Sequence, residues 1–126
     1  LSLAEIRDLY ARARLVAVAS KSSDVPDGSD CSGQTVVLDA LTAGKPVVAT
    51  NRSWIADYFV PGEDLVIVPP NNPDALAQAV TELFGDAEKR KCIAESGHAK
   101  VAARYTTKAF AEALRALMNS FNRTPL

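Results

Sequence analysis

The sequence carries no excess of charge of either sign: 14 Lys+Arg face 15 Asp+Glu, a formal net charge of −1. Nucleic acids and anionic membranes recruit clustered positive charge, so this balance argues against both as partners. No apolar run approaches the roughly 20 residues of a membrane-spanning helix. The longest ones, Leu15 to Ala19 and Pro46 to Ala49, have the length of strands. Cysteine is scarce, with only Cys31 and Cys92 and no CxxC spacing, and no signal-peptide pattern opens the chain. Both features point to a reducing, cytoplasmic setting. Two cysteines and His98 fall short of the four ligands a structural zinc site requires, so neither a metal nor a resident cofactor is expected. Repeats and low-complexity tracts are absent as well. What the chain does have is 126 residues, 48% of them apolar. A single domain of that size buries roughly two thirds of its unfolded surface without disulfide or metal staples.

Ser2 and Glu5 are spaced as a capping box, and Leu3, Ile6, Leu9 and Ala13 follow at helical spacing, which predicts a helix over 3–13 with one buried stripe. Residues 15–19 form a continuous apolar run that suits a parallel strand buried on both faces. The stretch 20–32 is rich in Ser, Asp, Pro and Gly and predicts a long loop, of the kind that is usually functional or disordered. A helix over 34–43 ends at Gly44 in a left-handed cap. Strands are expected near 46–50 and 65–68, with a short helix over 54–59, capped by Ser53, between them. Asn72-Pro73 reads as a cap followed by proline at the first helical position. The helix it starts carries Leu76, Val80, Leu83 and Phe84 and ends at Gly85. Another should run from Asp86 towards Ala103 with a disturbance near Gly97. The last starts at Thr106 and aligns Phe110, Leu114, Leu117, Met118 and Phe121. This order predicts an α/β, three-layer, Rossmann-like half-domain spanning 1–126, with a small parallel sheet of about three strands and carboxyl-terminal helices. A full doubly wound sheet has about five or six strands and binds ligands beyond their carboxyl ends.

The segment Cys31-Ser32-Gly33-Gln34-Thr35 leads from the long loop into a helix. Helix starts offer unpaired N–H groups and partial positive charge, which favour phosphate. Gly33 permits close backbone approach, Ser32 and Thr35 add hydroxyls, and Asp39 lies one turn beyond Thr35. A carboxylate there can accept hydrogen bonds from a ribose diol while the helix start holds a phosphate. The same residues also read as an ordinary cap, a turn glycine and a solvated acid.

Beyond these local patterns, Leu9 to Ala13, the strand up to Ser20 and the run Ser32 to Thr50 resemble the carboxyl-terminal domain of group 1 (family 4) GT-B glycosyltransferases. Pro61-Gly62-Glu63-Asp64, Leu65 to Pro70, Asn72-Pro73 and Tyr105-Thr106-Thr107 are similar to further parts of that domain. The resemblance implies transfer of a hexose from a nucleotide-sugar donor, with retention and without metal, in a cleft between two Rossmann-like domains. It also implies a signature of two acids separated by seven residues. Asp39 takes the second place, at the donor ribose, and Cys31 stands at the first, where the family acid meets the donor hexose. A thiol is a weak acceptor for sugar hydroxyls. Ser32, Gly33, Gln34 and Thr35 would meet the donor diphosphate. The family's basic residues for the leaving diphosphate, and its acceptor-binding domain, precede the matched region. The isolated chain is therefore expected to be inactive, with no catalytic residue of its own.

Partners expected on this basis are the nucleotide sugar and the preceding part of the enzyme, or a second copy paired through strand 15–19. A noncatalytic, self-associating or partner-binding α/β module is the alternative. Bland roles suffice for the remaining conspicuous residues. His98 reads as a surface residue, Cys92 as a small buried filler and Trp54 as a core or interdomain contact. Lys89, Arg90 and Lys91 read as a solvated face balanced by Asp86, Glu88 and Glu95, and Lys45 as a turn residue.

Overall fold

The computed structural model describes residues 1–22 and 32–121. Its elements are α1 (Leu3–Arg12), β1 (Val16–Val18), α2 (Gln34–Thr42), β2 (Val47–Thr50), α3 (Ile55–Tyr58), β3 (Val66–Val68), α4 (Pro73–Gly85), α5 (Ala87–Arg104) and α6 (Thr107–Phe121). The strands form one parallel sheet in the order β1-β2-β3, with Val16 opposite Val47 and Val48 opposite Val66. The expected α/β, three-layer half-domain is thus what the chain forms.

β2 is central, and all four of its residues are buried, which is why its sequence is an unbroken apolar run ending in Thr50. Successive side chains alternate between the two faces of the sheet. Val47 and Ala49 join Val18, Val37, Ala40, Leu41, Ile55 and Phe59 in a core beneath α2. Val48 joins Val68, Leu83 and Ile93 in a second core beneath α4. β1 lies at the sheet edge, so the expectation of burial on both faces is corrected: Ala17 is exposed and Val16 only half-buried.

α5 serves both cores, through Ile93 on one side and Val101 on the other. Between them Gly97 is buried, and a Cβ there would lie 2.5 Å from the Asp64 carbonyl oxygen and 2.6 Å from Leu41 Cδ2. The expected disturbance near Gly97 does not occur. The helix continues, and the glycine lets it approach the backbone before β3. Asp64, 1% exposed, sits at the same crossing. Its carboxylate accepts from the Val60 N–H and the Ser96 hydroxyl, each at 2.7 Å, and from the Lys100 ammonium. Burial pushes its pKa up, but Lys100 and the two other donors outweigh burial and hold it below the usual aspartate value.

Most element ends follow from local chemistry. Ser2 and Glu5 form the reciprocal box, which also lowers the Glu5 pKa through its hydrogen bonds to Ser2. Asn72 accepts from the Ala75 N–H at 2.9 Å, and Gly44 is left-handed at φ 67°. Trp54, not Ser53, occupies the cap position of α3, without a side-chain cap bond, and its ring lies in the core. The buried stripe expected on α1 is absent: Leu3 is 67% and Leu9 49% exposed. The stripe on α6 is exposed along its whole length, and Cys92, expected to be buried, is exposed on α5. No helix among the described residues is long and apolar enough to cross a membrane.

Candidate functional site

In an open parallel sheet the strands' carboxyl ends face one side, where helix amino termini and loops converge. Here that side gathers the residues after β1, the loop after β2, the Pro69 to Asn72 turn and the start of α2. Polar groups tie these loops together. The Ser20 N–H donates to Thr50 Oγ1 at 3.2 Å, the Ser20 hydroxyl to the Ser32 carbonyl at 3.4 Å, and Arg52, itself buried, to the Lys21 carbonyl at 2.5 Å.

The entry to α2 is set by Gly33, its cap residue, at φ 82°. A Cβ at Gly33 would sit 2.8 Å from Val18 Cγ1 and 2.9 Å from Ser20 Oγ, so only glycine brings the helix start this close to the end of β1. The first intrahelical bond runs from the Val37 N–H to the Gly33 carbonyl, which leaves the N–H groups of the first turn without a helical partner. Ser32 and Thr35 are exposed beside that turn, and Gln34 is half-buried. Cys31 lies outside the described residues.

Asp39 is exposed and borders a groove of about 390 Å³ between α1 and α2, together with Ile6, Arg7, Tyr10 and Thr42. Burial, helped by the negative charge of Asp39, raises the Tyr10 pKa above its ordinary value. A second cavity, of about 370 Å³, opens at the carboxyl ends of the strands and is bordered by Ser20, Lys21, Thr50, Asn71, Asn72 and Leu76. Neither Asp39 nor Ser32 to Thr35 borders that cavity. The α2 start and Asp39 therefore share one helix, and the cavity beyond the strand ends is a separate space.

The sequence profile of the family described as "Glycosyl transferases group 1" matches residues 1–100. The chain belongs to the group 1 glycosyltransferases. Among curated relatives of this family, a D-inositol 3-phosphate glycosyltransferase from Corynebacterium urealyticum is 30% identical over 121 residues, covering 96% of this chain and 26% of that protein. Two solved structures share the fold. A sucrose-phosphate synthase from Thermosynechococcus elongatus superposes with a TM-score of 0.70 at 24% identity, over 90% of this chain and 26% of the other. The carboxyl-terminal domain of a group 1 family glycosyltransferase from Francisella tularensis gives 0.67 at 24% identity, over 84% of this chain and 50% of the other. The chain spans about a fifth of the length of several curated relatives it matches.

Within this glycosyltransferase domain, sequence patterns did not single out Lys21, Thr50, Asn71 or the pairing of Asp39 with Tyr10. Asn71 had a usable signal. It stands between a double proline and the Asn72-Pro73 cap, and adopts the left-handed conformation (φ 55°) that asparagine tolerates. Tyr10 had none, because a tyrosine on an amphipathic helix is indistinguishable from core. Among the described residues no group of three or more His, Cys, Asp or Glu side chains is placed to hold a metal ion.

Proposed function

We propose that this chain is the donor-binding portion of a glycosyltransferase that moves a hexose, with retention and without a metal, from a nucleotide sugar to an acceptor. In this reading the first-turn N–H groups of α2, with Ser32, Gly33, Gln34 and Thr35, hold the donor diphosphate, and Asp39 accepts hydrogen bonds from the ribose. Cys31 stands at the donor-hexose position, where a weak acceptor replaces an acid. The observation that carries this reading is the start of α2, held against the end of β1 by a left-handed glycine and open at its first turn, in a chain of this family. Glycosyl transfer depends on positioning and on stabilising the departing diphosphate, so a chain that spans a fraction of its relatives binds donor without turning it over. The exposed free thiol of Cys92 suits the cytoplasmic setting.

Titrating the full chain with nucleoside diphosphates while following its amide NMR signals tests this. Shifts should centre on Gly33 to Val36 and on Asp39, and Asp39→Asn should weaken them. Shifts confined elsewhere, or none at millimolar ligand, would overturn the assignment.

A second reading, a noncatalytic module that associates with itself or a partner chain, is favoured by the open edge of β1. Beside that edge lies a groove of about 500 Å³ bordered by Leu1, Leu9, Leu15 and Val16. The nucleoside-diphosphate titration separates the two, since a noncatalytic module gives no shifts at Gly33 to Val36 or Asp39 whether or not its edge pairs.

A further inference from the structure

At the opposite end of the sheet, where the strands begin, a groove of about 610 Å³ lies between the end of α1, the turn before β2 and the first turns of α5. Arg14, Lys45, Arg90 and Lys91 border it, with Glu95 as the only acid among its bordering residues. This concentration of cations is hidden by the near-neutral balance of the whole chain.

Three of the four cations are held in place, and none of those three forms an ion pair among the described residues. Arg14 and Arg90 both lie over the Phe84 ring, at 5.1 and 6.0 Å from its centroid. Arg90 Nη1 alone donates to the carbonyls of both Leu83 and Phe84 at the end of α4, which fixes the guanidinium and leaves its Nη2 and Nε for another acceptor. The Lys45 ammonium donates to the Ala11 carbonyl at 3.0 Å, using one of its three hydrogens. Lys91 has only Glu95, at 4.0 Å on the same helix. Sequence alone suggested a solvated face balanced by neighbouring acids. Arg90 instead turns inward, half-buried, against the end of α4.

Like charges brought together with a single acid beside them repel, and a preorganised guanidinium fork beside two ammonium groups complements a tetrahedral phosphate oxyanion. We propose that this groove is a binding site for a phosphate group, either free phosphate or the headgroup phosphate of an anionic lipid. It is separate from the donor site at the other end of the strands and does not depend on it.

The test uses the full chain and the double variant Arg14→Gln/Lys91→Gln, which changes two exposed side chains and leaves the helix-end contacts of Lys45 and Arg90 intact. One arm follows amide shifts during titration with inorganic phosphate against sodium chloride of equal ionic strength. The other measures co-sedimentation with vesicles of phosphatidylglycerol and phosphatidylcholine against vesicles of phosphatidylcholine alone. Saturable shifts around Arg14, Lys45, Arg90 and Lys91 identify the free-phosphate source, and sedimentation only with the anionic vesicles identifies the lipid source. In either case the double variant should bind more than about tenfold more weakly, since each basic side chain near an anionic surface contributes appreciably. Absence of binding in both arms overturns the proposal. So does binding that the variant leaves unchanged, or phosphate shifts centred only on Gly33 to Val36, an outcome that would speak for the donor site and against this one.

Discussion

Gly97 shows how a single missing methyl group decides where a long helix can lie. In an exposed helix interior, exchanging glycine for alanine gains about 1 kcal/mol of propensity. At Gly97 the added carbon would enter the space of the Asp64 carbonyl and Leu41. Gly97→Ala should therefore destabilise the chain by about 1–3 kcal/mol, the usual cost of overpacking. Gly85→Ala, where a Cβ would meet nothing within 4 Å, should be neutral or mildly stabilising in the same urea titration. Asp64, whose carbonyl faces Gly97, has a side-chain carboxylate depressed in pKa by Lys100, Val60 and Ser96. A depressed folded-state pKa means the unfolded chain binds the proton more readily. This stabilisation is complete above the unfolded value and disappears as pH falls through the folded one. Asp64→Asn should cost about 2–3 kcal/mol near neutral pH, because it leaves a half-buried ammonium without its partner. It should also flatten the acid limb of the stability curve measured by urea melts at successive pH values.

Among the elements, α2 has the most direct link to binding, since its start is both a packing contact and the proposed phosphate cradle. Gly33→Ala forces a left-handed alanine against Val18 and Ser20. It should cost about 1–3 kcal/mol and displace the first turn, so that nucleoside-diphosphate shifts weaken more than the melting curve alone explains. Thr35→Ala, on an exposed residue, should leave stability unchanged and reduce only the shifts. Elements whose identity rests on local chemistry were legible from sequence. Val47 to Thr50, the Ser2–Glu5 box, Asn72 before Pro73 and the Gly44 stop each carry their own signal, and each appears as expected. What failed was any inference about what an element faces. Leu3 and Leu9 recur at helical spacing, yet α1 has no buried residue; periodicity reports that a face is apolar, not that something covers it. Gly97 read as a helix breaker because propensity is local, whereas the reason for glycine there is a backbone 33 residues earlier. For the candidate site, the α2 start was legible because its sequence spacing is contiguous. The cavity beyond the strand ends draws Lys21, Thr50 and Asn71 from three separate parts of the chain, two loops and the end of β2, and no local pattern joins them.

Considered as a whole, the molecule is a three-stranded sheet with helices over both faces and, among the described residues, nothing paired to the outer side of β1. The ladder fixes which backbone groups are free there. The Val16 N–H donates to the Pro46 carbonyl at 2.9 Å. In a parallel pair, alternate residues point their amides to the same neighbour, so Val18 also faces β2 and the Ala17 N–H faces outward. Such an edge, beside an apolar groove and without a charged side chain on β1, has no device among the described residues against pairing with another strand. The chain should accordingly self-associate in a concentration-dependent way, measurable by sedimentation velocity. Ala17→Pro removes the outward N–H and leaves every β1–β2 hydrogen bond in place. Proline is tolerated at such positions on edge strands, so the variant should melt within about 1 kcal/mol of the parent while losing the association. If Ala17→Pro unfolds the chain, its amide is engaged within the sheet and the edge is not free. If association survives the substitution, it runs through a different surface, for which the exposed apolar stripe of α6 (Phe110, Leu114, Leu117 and Phe121) is the next to test.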